Sequence, residues 1–139
     1  MGIKEVFRVV PVCKEDWRFL GMCIEGKYFV DTVLPMGCGT SCAIFQKLTR
    51  AVCWLAKRKM PDLEIFGFLD DFLLISREHQ SAVRHLAGFE ELCKRLGVPL
   101  AKEKTVGPVR SLVFLGIGLD TERMTMFLDD GKKVQPVPE

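Results

Sequence analysis

The sequence predicts an α+β domain in which two amphipathic helices pack on one face of an antiparallel sheet. Three observations carry that expectation. Short strand-like segments with turn residues between them recur along the chain, and two longer stretches repeat apolar residues at helical spacing. The third is an Asp-Asp pair that interrupts the apolar run Ile65-Phe66-Gly67-Phe68-Leu69-Asp70-Asp71-Phe72-Leu73-Leu74-Ile75.

Taken in order, the first strand is expected over Ile3 to Val10, followed by a hairpin from Arg18 to Leu34 turning at Glu25-Gly26. A Pro/Gly-punctuated loop beginning at Leu34-Pro35-Met36-Gly37 then feeds a long helix from about Thr40 to Lys59. Phe45, Leu48, Val52 and Leu55 recur at helical spacing along it, Lys57-Arg58-Lys59 complement its C-terminal dipole, and Pro61 stops it. Two adjacent carboxylates between apolar strands are costly to bury unless they pair with cations or stand exposed at a tight turn, so Asp70 and Asp71 are placed at a hairpin tip. Taken alone, the pair reads equally well as ordinary turn chemistry.

A second helix is expected from about Glu78 to Leu96, with Val83, Leu86, Phe89, Leu92, Cys93 and Leu96 on one face and Gly97 and Pro99 closing it. Strands over Ser111 to Leu119 and Met124 to Leu128, turning near Thr121-Glu122, complete a domain spanning residues 1–128. The polar, Pro-bearing tail over 129–139 is expected to fray.

Composition sets outer limits. A chain of 139 residues with 48% hydrophobic content suits one core. A formal net charge of +2 argues only weakly for a nucleic-acid partner. The six cysteines form no Cys-x-x-Cys pair and, with His79 and His85 on a helix, no zinc-ligand pattern, so they read as buried small hydrophobes in a reducing compartment. No segment has the length of a membrane span and no signal-peptide pattern opens the chain. The expectation is an intracellular protein of cytoplasm or nucleus with no membrane partner.

The segments flanking the Asp-Asp run decide between turn chemistry and function. Leu34-Pro35-Met36-Gly37, then Ser41 and a helix carrying Phe45, resembles motif B of the reverse transcriptase palm, and Phe68-Leu69-Asp70-Asp71 resembles its motif C. Leu96-Gly97-Val98-Pro99 with Glu103-Lys104-Thr105 is similar to the helix end and lysine-bearing strand of motif D, and Val113-Phe114-Leu115-Gly116 to the start of motif E. The wording of these segments, with Tyr28-Phe29-Val30-Asp31, is most similar to retrotransposons of the tyrosine-recombinase (DIRS-like) class.

That resemblance implies RNA-directed DNA polymerisation on a template-primer of RNA and DNA with deoxynucleotides, using Mg2+ or Mn2+ held by Asp70 and Asp71. It implies further that Lys104 donates a proton to pyrophosphate and that Phe7, Met36, Gly37, Ser41 and Phe68 line the nucleotide and template path. On residue type alone Phe7 reads equally as strand core, Gly37 and Ser41 as a loop before a helix, and Lys104 as a solvated lysine. Ile3-Lys4-Glu5-Val6-Phe7 resembles motif A, yet Gly2 stands where the family carries its first catalytic aspartate. A two-metal mechanism needs carboxylates from more than one strand, so catalysis is expected to be defective and any metal weakly held. The fingers and thumb of a complete polymerase do not fit in this length, which suggests a fragment; the alternative is a recruited, non-catalytic module that binds nucleic acid or protein.

Overall fold

The computed structural model describes residues 1–128, so the tail over 129–139 lies outside the described residues. Contacts group the described residues into two compact units, one over Met1–Thr105 and one that begins at Val106.

In chain order the first unit contains β1 (Gly2–Ile3), the hairpin of β2 (Gly21–Ile24) and β3 (Lys27–Val30), α1 (Ser41–Lys59), β4 (Glu64–Phe68), β5 (Asp71–Ile75), α2 (His79–Leu96) and β6 (Leu100–Ala101). Its main sheet runs β4-β5-β1-β6 with antiparallel neighbours throughout. Because side chains alternate along a strand, Ile65, Gly67 and Phe72 face the helices, while Phe66, Phe68 and Asp71 face away. Phe45, Val52 and Ala56 of α1 and Phe89 and Cys93 of α2 close the core against Ile3, Leu63, Ile65 and Phe72. Each fully buried phenylalanine contributes roughly 1.5–3 kcal/mol, and Phe72 meets Phe89 with ring centroids 5.0 Å apart.

The α+β architecture expected from the sequence is present, with several corrections to its elements. The face of α1 is rotated from the expected one: Thr49 and Ala56 are buried, whereas Leu48 and Leu55 are half-buried. The cause is the close approach of α1 to β4 at Gly67, where an added Cβ would lie 2.6 Å from Thr49 Cγ2 and 2.8 Å from Cys53 Sγ. The strand expected over Ile3 to Val10 ends at Ile3. Beyond it Glu5 and Phe7 adopt φ of +53° and +70°, and the chain curls, which lets Val6, Phe7, Val9 and Val10 all pack against the core rather than alternate across a sheet.

On α2 the buried residues are His85, Phe89 and Cys93, while Val83 and Leu96 are exposed. The buried ring of His85 is accommodated because Ser76 Oγ lies 2.6 Å from its Nδ1 and Asp62 Oδ2 lies 3.1 Å from its Nε2, the latter at ion-pair distance without hydrogen-bond geometry. Arg84 reaches the same Asp62 oxygen at 2.8 Å, and the ring of His85 is the first cause holding the Asp62 carboxyl below its ordinary value. Gly97, at φ +72°, closes the helix by donating to Lys94 O at 3.2 Å, while Val98 N–H reaches Cys93 O at 2.9 Å. The lysine-bearing strand expected near Lys104 is instead a 3-10 turn over Lys102–Lys104. A further 3-10 turn, Lys14–Phe19, has no counterpart in the sequence reading; Trp17 Nε1 ties it down by donating to Val12 O at 2.9 Å. The hairpin β2–β3 turns at Glu25-Gly26 as expected, and Arg8 bridges both carboxylate oxygens of Asp31 just beyond it, at 2.9 and 2.8 Å.

The cysteines depart from the expected burial. Cys13, Cys23, Cys38 and Cys42 are exposed, Cys53 is half-buried, and Cys93 alone is fully buried, with burial pushing its thiol up to about 12.

The second unit holds β7 (Ser111–Phe114), β8 (Ile117–Asp120) and β9 (Thr125–Leu128) in one antiparallel sheet of that order. The single strand expected from Ser111 to Leu119 is broken at Leu115-Gly116, whose φ values of +53° and +81° make a tight turn inside the apolar run. The turn near Thr121-Glu122 is as expected, held by Asp120 Oδ1, which accepts from the N–H groups of Glu122 and Arg123 at 2.9 Å each.

Candidate active site

The Asp-Asp hairpin forms with a small difference from expectation. Phe68 pairs with Asp71, so the two turn residues are Leu69 and Asp70, and Asp71 is already the first residue of β5. Both carboxylates are half-exposed. Leu69 carries the turn at φ +49°, a left-handed conformation that costs a leucine energy unless its surroundings fix it. The surroundings are two side chains of α1. Gln46 Oε1 accepts from Leu69 N–H at 2.7 Å and Gln46 Nε2 donates to Gly67 O at 3.2 Å, while the buried hydroxyl of Thr49 donates to Leu69 O. Gly67, by letting α1 approach, brings both side chains within reach.

The third strand of the arrangement is β1. Gly2 is the Cα partner of Asp71 on one side and of Ala101 on the other, and Ile3 N–H donates to Asp70 O at 2.9 Å. A Cβ built on Gly2 would stand 3.2 Å from Asp71 Oδ1 and 3.6 Å from Asp70 O. Position 2 therefore lies beside the carboxylates, on the face of the sheet turned away from the helices. It supplies no oxygen donor there. Among the described residues no group of three or more His, Cys, Asp or Glu side chains is placed to hold a metal ion.

The other sequence-predicted residues are distributed as follows. Phe68 is exposed on the same sheet face as Asp71. Phe7 is half-buried, edge-on to Phe45 at 5.3 Å, so it shares the core's edge. Met36 is exposed, and Gly37, at φ +83°, provides a turn that a side chain would strain. Ser41 is buried at the first turn of α1, where its hydroxyl donates to Pro35 O at 2.8 Å and pins the loop. Lys104 is exposed, and among the described residues no hydrogen bond or ion pair joins it or Met36 to the Asp pair. Sequence reasoning missed Gln46, Thr49 and Gly67. The available signal was a Gln and a Thr three residues apart on the inner side of an apolar helix face.

Comparison with known proteins agrees with this geometry. Residues 3–119 match the reverse transcriptase (RNA-dependent DNA polymerase) family. Protein P of Woolly monkey hepatitis B virus is 31% identical over 83 residues, 60% of this chain and 10% of that protein. The genome polyprotein of Petunia vein clearing virus is 31% identical over 98 residues, 70% of this chain and 4% of that protein. The fold is shared with the foamy viral protease-reverse transcriptase solved with an RNA/DNA hybrid, at TM-score 0.81 and 19% identity over 94% of this chain and 17% of that one. A second structure, the foamy viral protease-reverse transcriptase dRH with ds DNA, gives TM-score 0.79 and 21% identity over 94% of this chain and 22% of that one. This chain thus spans a tenth or less of the curated relatives. It belongs to the reverse transcriptase (RNA-dependent DNA polymerase) family, of which it carries the palm.

Proposed function

We propose that this chain is a retrotransposon reverse transcriptase palm, of the tyrosine-recombinase class, whose metal site is one carboxylate short of catalysis. The observation that carries the reading is the position of Gly2, whose absent Cβ would meet Asp71 Oδ1 at 3.2 Å. Magnesium takes octahedral oxygen coordination and is commonly held by one or two carboxylates together with substrate phosphates. Asp70 and Asp71 fit that role for a single Mg2+ or Mn2+ ion brought in on a nucleotide, and binding is weak. A second ion needs a donor where Gly2 has none. Magnesium on the nucleotide supplies charge neutralisation at the phosphates; the chain's own residues orient and exclude. Phe68 and Gly37 flank the nucleotide and template path, Phe7 packs beneath it, Met36 and Ser41 shape the loop before α1, and Lys104 keeps the position of the family's proton donor to pyrophosphate. Template-primer and deoxynucleotides are the partners, met inside the cell in cytoplasm or nucleus.

The test is primer extension by the purified chain on an RNA template with magnesium and deoxynucleotides. No template-dependent product is expected. Extension that disappears in Asp70→Ala would overturn the reading.

A further inference from the structure

The outer face of α1 is basic along its length. Its nineteen residues include Lys47, Arg50, Lys57, Arg58 and Lys59 and no acidic residue. The buried face of the helix, Phe45, Thr49, Val52 and Ala56, is spent on the core, so these cations project into solvent. Lys47, Arg50, Trp54 and Arg58 follow one another at steps of three or four residues and form a single strip, roughly 16 Å long at the rise of an α-helix. In the middle of the strip Trp54 is 58% exposed, an unusual placement for the largest apolar side chain. Arg58 lies over its ring with Cζ 5.1 Å from the centroid, which holds the indole in place. Among the described residues only Lys57 of the five cations makes an ion pair, with Glu64 at 3.0 Å.

We infer that this strip is a binding surface for single-stranded nucleic acid, separate from the Asp70-Asp71 face: Lys47, Arg50 and Arg58 meet the phosphates and Trp54 stacks on a base. The charge complementarity is to a polyanion, and a row of cations interrupted by an exposed aromatic ring is the arrangement that tracks a backbone while stacking its bases. A lipid surface is the poorer fit. An interfacial helix needs its broad apolar face free, and here that face lies under β4. An acidic peptide would satisfy the cations and leave the indole without a stacking partner. The surface does not depend on catalytic competence, because it lies on the side of α1 turned away from the sheet.

Fluorescence anisotropy of a labelled oligouridine with the 139-residue chain, at low and at physiological salt, tests the assignment. Trp54→Ala should weaken binding about tenfold, and Trp54→Phe should retain most of it. Arg50→Glu combined with Arg58→Glu should reduce the salt slope by ~1.4, about 0.7 for each phosphate contact to a single strand. Circular dichroism confirms that each variant is folded. Affinity indifferent to Trp54→Ala and to charge reversal in folded proteins would overturn the assignment. So would polyglutamate or phosphatidylserine vesicles binding as tightly as the oligonucleotide and responding to the same variants, since the strip would then be a general anion surface.

Discussion

Gln46 Oε1 accepts a 2.7 Å hydrogen bond from the backbone N–H of Leu69, the one residue of the Asp-Asp turn with a left-handed φ. A side chain of α1 thereby fixes the backbone immediately before Asp70. With Thr49 bonded to Leu69 O, both polar groups of that peptide unit's residue are satisfied by the helix. The two carboxylates are presented on a turn whose shape is set from the core side.

Removing either grip should therefore cost stability. Thr49→Val keeps the shape of the side chain and strands the Leu69 carbonyl, and Gln46→Ala strands its N–H. Each is expected to destabilise the fold by about 0.5–1.5 kcal/mol, the net worth of a hydrogen bond at a half-buried site. Urea unfolding monitored by circular dichroism measures it. A change below a few tenths of a kcal/mol for both would show that the turn holds its shape without α1.

Gly67→Ala tests the same contact from the strand. A Cβ there meets Thr49 Cγ2 at 2.6 Å and Cys53 Sγ at 2.8 Å, so these two side chains, or α1 with them, must shift away from β4. The expected cost is roughly 1–3 kcal/mol from overpacking, with Cys53 becoming more reactive toward a thiol reagent as the helix lifts. Wild-type stability in the alanine variant would mean that the helix is not seated as described.

The Asp62 carboxyl gives a pH prediction. Its folded value is depressed below the ordinary 3.8, first by the His85 ring. A depressed carboxylate contributes stability that is present above the unfolded value and lost as pH falls through the folded one. Asp62→Asn should thus lower Tm at neutral pH, and the gap to wild type should close on the acid side of pH 3.8. A gap independent of pH would show that the charge on Asp62 contributes nothing to the folded state.

Which of these features the sequence could reveal depends on how they are encoded. The two helices and the Asp-Asp hairpin are legible because periodicity and turn residues write them locally, and the resemblance to the family assigns Gly2 to the position of its first catalytic aspartate. The grip of Gln46 and Thr49 was not legible, since a bond from a side chain to a distant backbone leaves no periodic trace. The curl after Ile3 is hidden for a related reason: Glu5 and Phe7 take positive φ without glycine, and Val6-Phe7-Arg8-Val9-Val10, rich in β-branched and aromatic residues, reads as strand. β1 and β6 have two residues each, and their existence rests on pairing with β5 and with each other rather than on propensity. The turn at Leu115-Gly116 lay inside an apolar run that read as continuous.

Repairing the site is the sharpest test of its geometry. Gly2→Asp places a carboxylate next to Asp71, where the Cβ fits if Asp71 Oδ1 yields by a few tenths of an ångström from 3.2 Å. Without metal, three adjacent carboxylates repel, so the variant should melt below wild type. Manganese should reverse the order, because an ion that binds the native state alone stabilises it in proportion to its affinity. Paramagnetic relaxation of water protons on titrating manganese should show tighter binding by Gly2→Asp than by wild type, and weaker binding by Asp70→Asn or Asp71→Asn, with either Asn variant at least as stable as wild type in the absence of metal. Polymerisation need not return for this to hold. If the folded Gly2→Asp protein binds manganese no better than wild type, position 2 does not contribute to a metal site, and the defect assigned to Gly2 has no basis.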